Sequence, residues 1–403
     1  MKKYLFILLA LSLGPRPAAA EAPLELYIDA DYSINEAAAE AIELGVRTAL
    51  LEAENTLGGR PVVIAPMDHR GNVRRSRDTM DQFLKSPSAI ALIGGLHSPP
   101  YLTHQRFINQ SGILTLLPWS AAGPITRAAA DDENWIFRLS VDDYRSGPFL
   151  VHEAVQGANC KDVALILLNT GWGRASEITL AAALNAAGRQ SSITAFFPAT
   201  LGQAGAGALA QSILQARPDC AILLANARNG ALIVNALADR GANLRLFSHW
   251  GITGSTAFIN QVGHDARRRL GITVLQTCGL KREAEENPVL RTALAVASPD
   301  QSSLARMSAP AGFVHGYDLT KILVSAARQA ARTPQWNGDI ANRRRALRHA
   351  LENLDHPVDG ILKRYETPFG AYSEARPFAH EALGPDDLCL ARFTEDGYLE
   401  HAD

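Results

Sequence analysis

A chain of 403 residues, 47% of them hydrophobic, is longer than one hydrophobic core usually organises, so about two domains are expected. A formal net charge of -2 with 20% charged residues leaves no basic surface large enough for a nucleic-acid partner. The four cysteines, Cys160, Cys220, Cys278 and Cys389, show neither CxxC pairing nor zinc-like spacing, and no metal or cofactor is expected.

Lys2 and Lys3, the apolar run from Tyr4 to Leu13 and the small residues Ala18, Ala19 and Ala20 predict a cleaved secretion signal over 1–20. The mature product is expected to be soluble and periplasmic. In that oxidising compartment the cysteines can pair as Cys160 with Cys220 and Cys278 with Cys389, or stay as four buried thiols.

Strand-like and helix-like patterns then alternate. LELYIDA (24–30) leads into a helical pattern over about 35–57, followed by PVVIAPM, a helix over 72–85, AIALIGG, a helix near 99–110 and ILTLLPW. WIFRLSVDD (135–143) breaks the rhythm. A second series follows, with strands at 162–169, 192–198, 220–226 and 244–250 separated by helices near 173–187, 204–216 and 229–241. After GITVLQTC come helical patterns near 287–297, 313–333 and 339–354, and Asp396-Gly397 marks a terminal hairpin. Right-handed crossovers make this an α/β chain of two Rossmann-like lobes, each a parallel sheet flanked by helices.

Ligands of open parallel sheets bind beyond the carboxyl ends of the strands. Those ends carry Ser98, Trp119, Ser120, Ala121, Trp172, Arg228, Asn229 and Trp250. A single Trp is as often a core residue, but three at separate strand ends point to a cleft wall. His97, His104 and His249 read as capping or surface histidines. There is no HExxH, GxSxG, Walker loop or strand-to-helix GxGxxG, so no enzyme is indicated. The basic clusters HRGNVRRSR (69–77) and ANRRRALRH (341–349) read as solvated helix faces or a docking patch for a permease.

The order of GVRTALLEAENTLGG, VVIAPMDHRGNVRRS, ALIGGLHS, GILTLLPWSAAGPIT, FRLSVDDYRSGPFL, VALILLNTGWGRAS, CAILLANARNGALIVNALADRG and LFSHWGITGS resembles the Leu/Ile/Val-binding family of periplasmic binding proteins, the solute receptors of ABC importers. The resemblance implies lobe I over 21–140 and 277–355, lobe II over 141–276 and 356–403, and three crossings near 140, 275 and 356. It implies a monomer that closes on a small-molecule ligand and docks on an inner-membrane permease. It also implies a first-lobe carboxylate cradle at Ser98, Ser120 and Ala121, and further cleft aromatics at Phe313 and Tyr317.

Three departures stand out. Pro99 and Pro100 follow Ser98 and supply no N–H to a cradle. Trp250 stands where amino-acid receptors of the family carry the acid that pairs with the ligand's ammonium, and an indole cannot replace a carboxylate there. Asp31 and Tyr32, in ADYSINE, are weaker cleft candidates. The family's first-lobe disulfide is also missing, its positions falling near Arg70 and at His97. The expected ligand is therefore largely apolar: an aromatic or alkyl carboxylate, or a lipid such as a sterol or hopanoid. The alternatives are a branched-chain or other amino-acid receptor, or a ligand sensor on the same fold.

Overall fold

The computed structural model describes residues 22–129, 132–281, 286–297 and 303–402; the expected secretion signal lies outside these described residues. Two sheets carry the chain. The first runs, in spatial order, Thr56–Leu57, Arg60–Asp68, Leu24–Ala30, Ala89–Gly94, Thr115–Leu117 and Ile136–Arg138. It is parallel apart from the edge hairpin that pairs Thr56 with Pro61. The second runs Leu399–His401, Leu388–Phe393, Thr273–Thr277, Arg245–Ser248, Cys220–Leu224, Val163–Leu168 and Ser191–Phe197, parallel except for its last two strands in the chain. Strands such as VALILL are buried on every residue, as a sheet covered on both faces requires.

The first helix is shorter than its periodicity predicts. It ends at Glu52, because Glu54 and Asn55 take positive φ and turn the chain into the edge strand Thr56–Leu57. This helix packs along Pro310–Ala330, and the two backbones nearly touch: a Cβ on Gly45 would collide with the Phe313 carbonyl, and one on Gly316 with that of Ile42. The basic cluster at 341–349 is not wholly a solvated face. Arg344 is buried, donates to the Ala89 carbonyl at 2.9 Å and lies over the Phe83 ring, so part of this cluster locks a helix onto the first sheet.

Both cysteine pairs are bridged, Cys160 to Cys220 and Cys278 to Cys389. The first ties the start of one second-lobe strand to the turn before its neighbour; the second staples the turn after Thr277 to the antiparallel strand beside it.

The first crossing meets the segment around Glu381 in a buried charge network. Arg138 is fully buried and reaches Glu381 at 2.6 Å and Asp142 at 3.2 Å, while Arg127 bonds the same two carboxylates. Residues 358–382 stay on the first lobe. Tyr365 and the Ile361 and Leu362 amides bond Asp318, and Phe369 and His380 pack on Phe137, so the chain rejoins the second sheet only at Leu388.

Candidate ligand-binding site

A cavity of about 260 Å³ lies between the lobes, and the residues that line it sit just past the carboxyl end of a strand or in the helix start that follows, apart from Leu168, which ends its strand. The first lobe contributes the loops after Ala30, Asp68, Gly94 and Leu117; the second contributes those after Leu168, Phe197, Leu224 and Ser248. The rims touch. The Ala38 amide donates to the Gly254 carbonyl at 3.0 Å, and Ser255 Oγ donates to Glu36 Oε1 at 2.8 Å, so the lobes are closed on one another.

The second-lobe wall is aromatic. His249 and Trp250 rings meet edge to face at 4.9 Å, and Trp172 meets His249 at 5.2 Å. Behind them sits Asp143, in the first crossing. Its Oδ2 accepts from the Trp172 indole at 2.7 Å and from Ser176 at 3.0 Å, and its Oδ1 contacts His249 Nε2 at 2.9 Å. The carboxylate thus fixes the orientation of two lining rings. Among the described residues, His249 Nδ1 has no partner.

The first-lobe wall is polar. Asp31 Oδ2 accepts from Asn35 at 2.9 Å and contacts His97 Nε2 at 2.9 Å, while Oδ1 accepts from the Ile34 amide at 3.0 Å. Burial alone would raise the Asp31 carboxyl, but the bonds from His97 and Asn35 and the charge of His97 outweigh it and hold the group down to about 2. His69, its ring 5.9 Å from that of His97, is pushed down to about 4, chiefly by burial. Two guanidinium groups stand at the mouth. Arg70 is paired with Asp68 at 3.2 Å, whereas Arg228 has no ion-pair partner among the described residues.

Of the residues expected at the site, Ser98, Ala121, Trp172, Arg228, Asn229 and Trp250 line the cavity. Four do not. Trp119 is fully buried behind the wall, against Gly312 and His315, because its ring turns toward the Pro310–Ala330 helix. Ser120 donates its hydroxyl to the Gly95 and His97 carbonyls and shapes the loop instead of facing a ligand. Phe313 and Tyr317 lie on the far side of their helix, in the cluster with Ala49 and Leu290, where Tyr317 donates to Glu52 at 2.9 Å.

His97, Thr170, Asn226 and His249 also line the cavity; they stand in the strand-end stretches expected there but are not among the named site residues, whereas Asn35 lies outside those stretches. The weaker candidate Asp31 lines the cavity, whereas Tyr32 bonds Glu43 at 2.6 Å outside it. Among the described residues, only Cys160, Asp219 and Cys220 cluster as metal ligands would, and both thiols are taken up in a disulfide.

A family model described as "Periplasmic binding protein" matches residues 30–375. No curated protein sequence matches. Among solved structures, the chain superposes on a leucine binding protein from Thermotoga maritima with a TM-score of 0.76 at 15% identity, covering 94% of this chain and 97% of that one. A solute binding protein of R. palustris, solved in complex with benzoate, gives 0.72 at 16% identity over 94% and 95% of the chains. A branched-chain amino acid transporter substrate binding protein from Streptococcus pneumoniae, in complex with isoleucine, gives 0.73 at 13% identity over 94% and 99%. These similarities establish the fold.

Proposed function

Because this chain belongs to the periplasmic binding protein family, in its Leu/Ile/Val-binding-like group, we propose that it is a transport receptor whose cavity closes on a small aromatic or alkyl carboxylate. The family is one of solute-binding proteins and places the chain in the periplasm or outside the cell. On this reading the chain is exported by a cleaved signal at 1–20 and hands its ligand to an inner-membrane permease as a monomer.

One observation carries the choice of ligand: among the described residues Asp31 is the only acidic one lining the cavity, and it lies on the first lobe with its carboxylate already engaged by three hydrogen-bonding partners. The second-lobe wall, where an α-ammonium would need a counter-charge, presents Trp172, His249 and Trp250. A desolvated ammonium there would cost several kcal/mol with no pair to offset it, and cation-π attraction returns only about 0.5–2 kcal/mol. An apolar ring or alkyl chain instead gains about 25 cal/mol for each Å² it buries.

Size supports a small acid over a sterol or hopanoid, since about 260 Å³ lies below the roughly 300–1,000 Å³ of pockets for drug-sized ligands. Native mass spectrometry of protein purified without added ligand tests the reading. A co-bound small carboxylic acid is the expected finding; stoichiometric leucine, or a co-bound lipid, would overturn it.

A further inference from the structure

The two walls differ in unpaired charge: Arg70 on the first lobe is already paired with Asp68 at 3.2 Å, which leaves Asp31 to set the charge of that wall, whereas Arg228 on the second has no ion-pair partner among the described residues. On the first lobe, Pro99 and Pro100 remove the N–H groups that a helix start would offer an anion, so of that cradle the Ser98 hydroxyl, whose oxygen accepts from the Ala122 amide at 3.2 Å, keeps only its single O–H to donate. The same wall carries Asp31, which is ionised at neutral pH because His97 and Asn35 bond its charged form. A carboxylate placed there would meet like charge in a partly desolvated cavity.

The second lobe offers the opposite environment. Arg228, free of any ion pair among the described residues, opens the helix Ala227–Asp239, whose N-cap Asn226 makes no side-chain capping bond. The first amides of that helix and its dipole therefore add to the guanidinium charge.

Resting on the reading above, we infer that the ligand lies reversed relative to the first-lobe cradle implied by resemblance: its carboxylate against Arg228 and the Asn226 helix start, and a second polar group against Asp31 and His97. That second group is a hydrogen-bond donor at the end of the molecule remote from the carboxylate, which makes the ligand class a hydroxy- or amino-substituted aromatic acid. An α-amino acid does not meet this demand. Its ammonium is one carbon from the carboxylate and would stay on the aromatic wall.

Titration calorimetry with benzoate, 4-hydroxybenzoate and the methyl ester of 4-hydroxybenzoate tests the orientation in the wild type and in Asp31→Asn, Arg228→Gln and Ser98→Ala. The hydroxyl is expected to tighten wild-type binding by about tenfold, as a bond to a charged acceptor does, and to give no gain in Asp31→Asn. The acid is expected to bind at least about tenfold better than the ester in the wild type and in Ser98→Ala, with that preference collapsing in Arg228→Gln. Arg228 is exposed, so its variant reports on binding even if Asp31→Asn fails to fold. A preference for acid over ester that survives Arg228→Gln and disappears in Ser98→Ala would overturn the orientation while leaving the proposed function standing. Failure of all three compounds to bind the wild type would overturn the inference of a substituted aromatic acid and leave only the alkyl carboxylate of the proposed function.

Discussion

The Trp172 indole N–H donates to Asp143 Oδ2 at 2.7 Å, joining a cavity wall to the first crossing between the lobes. Because its one donor is engaged there, Trp172 offers a ligand an apolar face. Asp143 also donates its own amide to the Ala121 carbonyl on the first lobe, so one residue contacts both walls. Trp172→Phe keeps a ring and removes this donor from a buried carboxylate. Unfolding in urea is expected to show a loss of about 1.5–3 kcal/mol; an unchanged midpoint would mean the bond contributes nothing to stability.

Trp250 is 1% exposed and forms the wall opposite Asp31. Trp250→Ala is expected to weaken binding of an aromatic acid by about thirtyfold or more, the effect of truncating an aromatic anchor in a desolvated pocket. Trp250→Glu is not expected to create leucine binding on its own, since the neighbouring rings and the Asp31 wall remain. Calorimetry on the two variants checks both statements.

Lobe closure has its own contact. Glu36 Oε1 accepts from Ser255 Oγ at 2.8 Å and from the Thr256 amide at 3.3 Å across the cleft. Glu36→Ala removes bonds that exist only when the lobes meet, so it should favour the open form and weaken any ligand that binds the closed one. An increase of about threefold to tenfold in Kd is expected, carried by faster dissociation, and stopped-flow release of bound ligand measures it.

Proton linkage follows from His315, which lies between the rings of Trp119 and Trp250. Burial pushes its imidazole down to about 3 from 6.5. Between those values the unfolded chain binds more protons than the folded one. The residue therefore contributes stability that is present above pH 6.5 and is lost as pH falls toward 3. Asp29 and Asp318, raised by burial to about 7 and about 6, act in the opposite direction over an overlapping window. The readout is thus a difference: between about pH 7 and about pH 4.5, His315→Gln should lose less stability in urea than the wild type does.

The disulfides give a further expectation. Cys278 and Cys389 close a separation of 111 residues, and Cys160 and Cys220 one of 60. Replacing either pair by serine should cost about 2–5 kcal/mol, the longer loop slightly more in the chain-entropy account. Non-reducing denaturation of the two double variants measures this.

The sequence made the alternation of elements readable because buried parallel strands are short apolar runs and the helices between them repeat at three and four residues. Strand ends, together with the resemblance, point to Trp172 and Trp250, and both line the candidate cavity. The direction in which a ring turns was not readable. Trp119 ends a strand just as Trp250 does, yet it faces inward because Gly312 leaves room for it. Phe313 and Tyr317 were misplaced for the same reason, since the face of a helix buried all round its core side depends on which neighbour it meets. Asp143 was invisible as a site residue because its partners Trp172, Ser176 and His249 come from two distant elements.

The cavity is expected to take a carboxylate with an apolar body, because its aromatic second-lobe wall has no counter-charge for an α-ammonium. The comparison of leucine with 4-methylpentanoate, the same molecule without its amino group, isolates that point in one calorimetric titration. The account expects 4-methylpentanoate to bind at least about tenfold tighter, as the cost of burying an unpaired ammonium requires; tighter binding of leucine would contradict it.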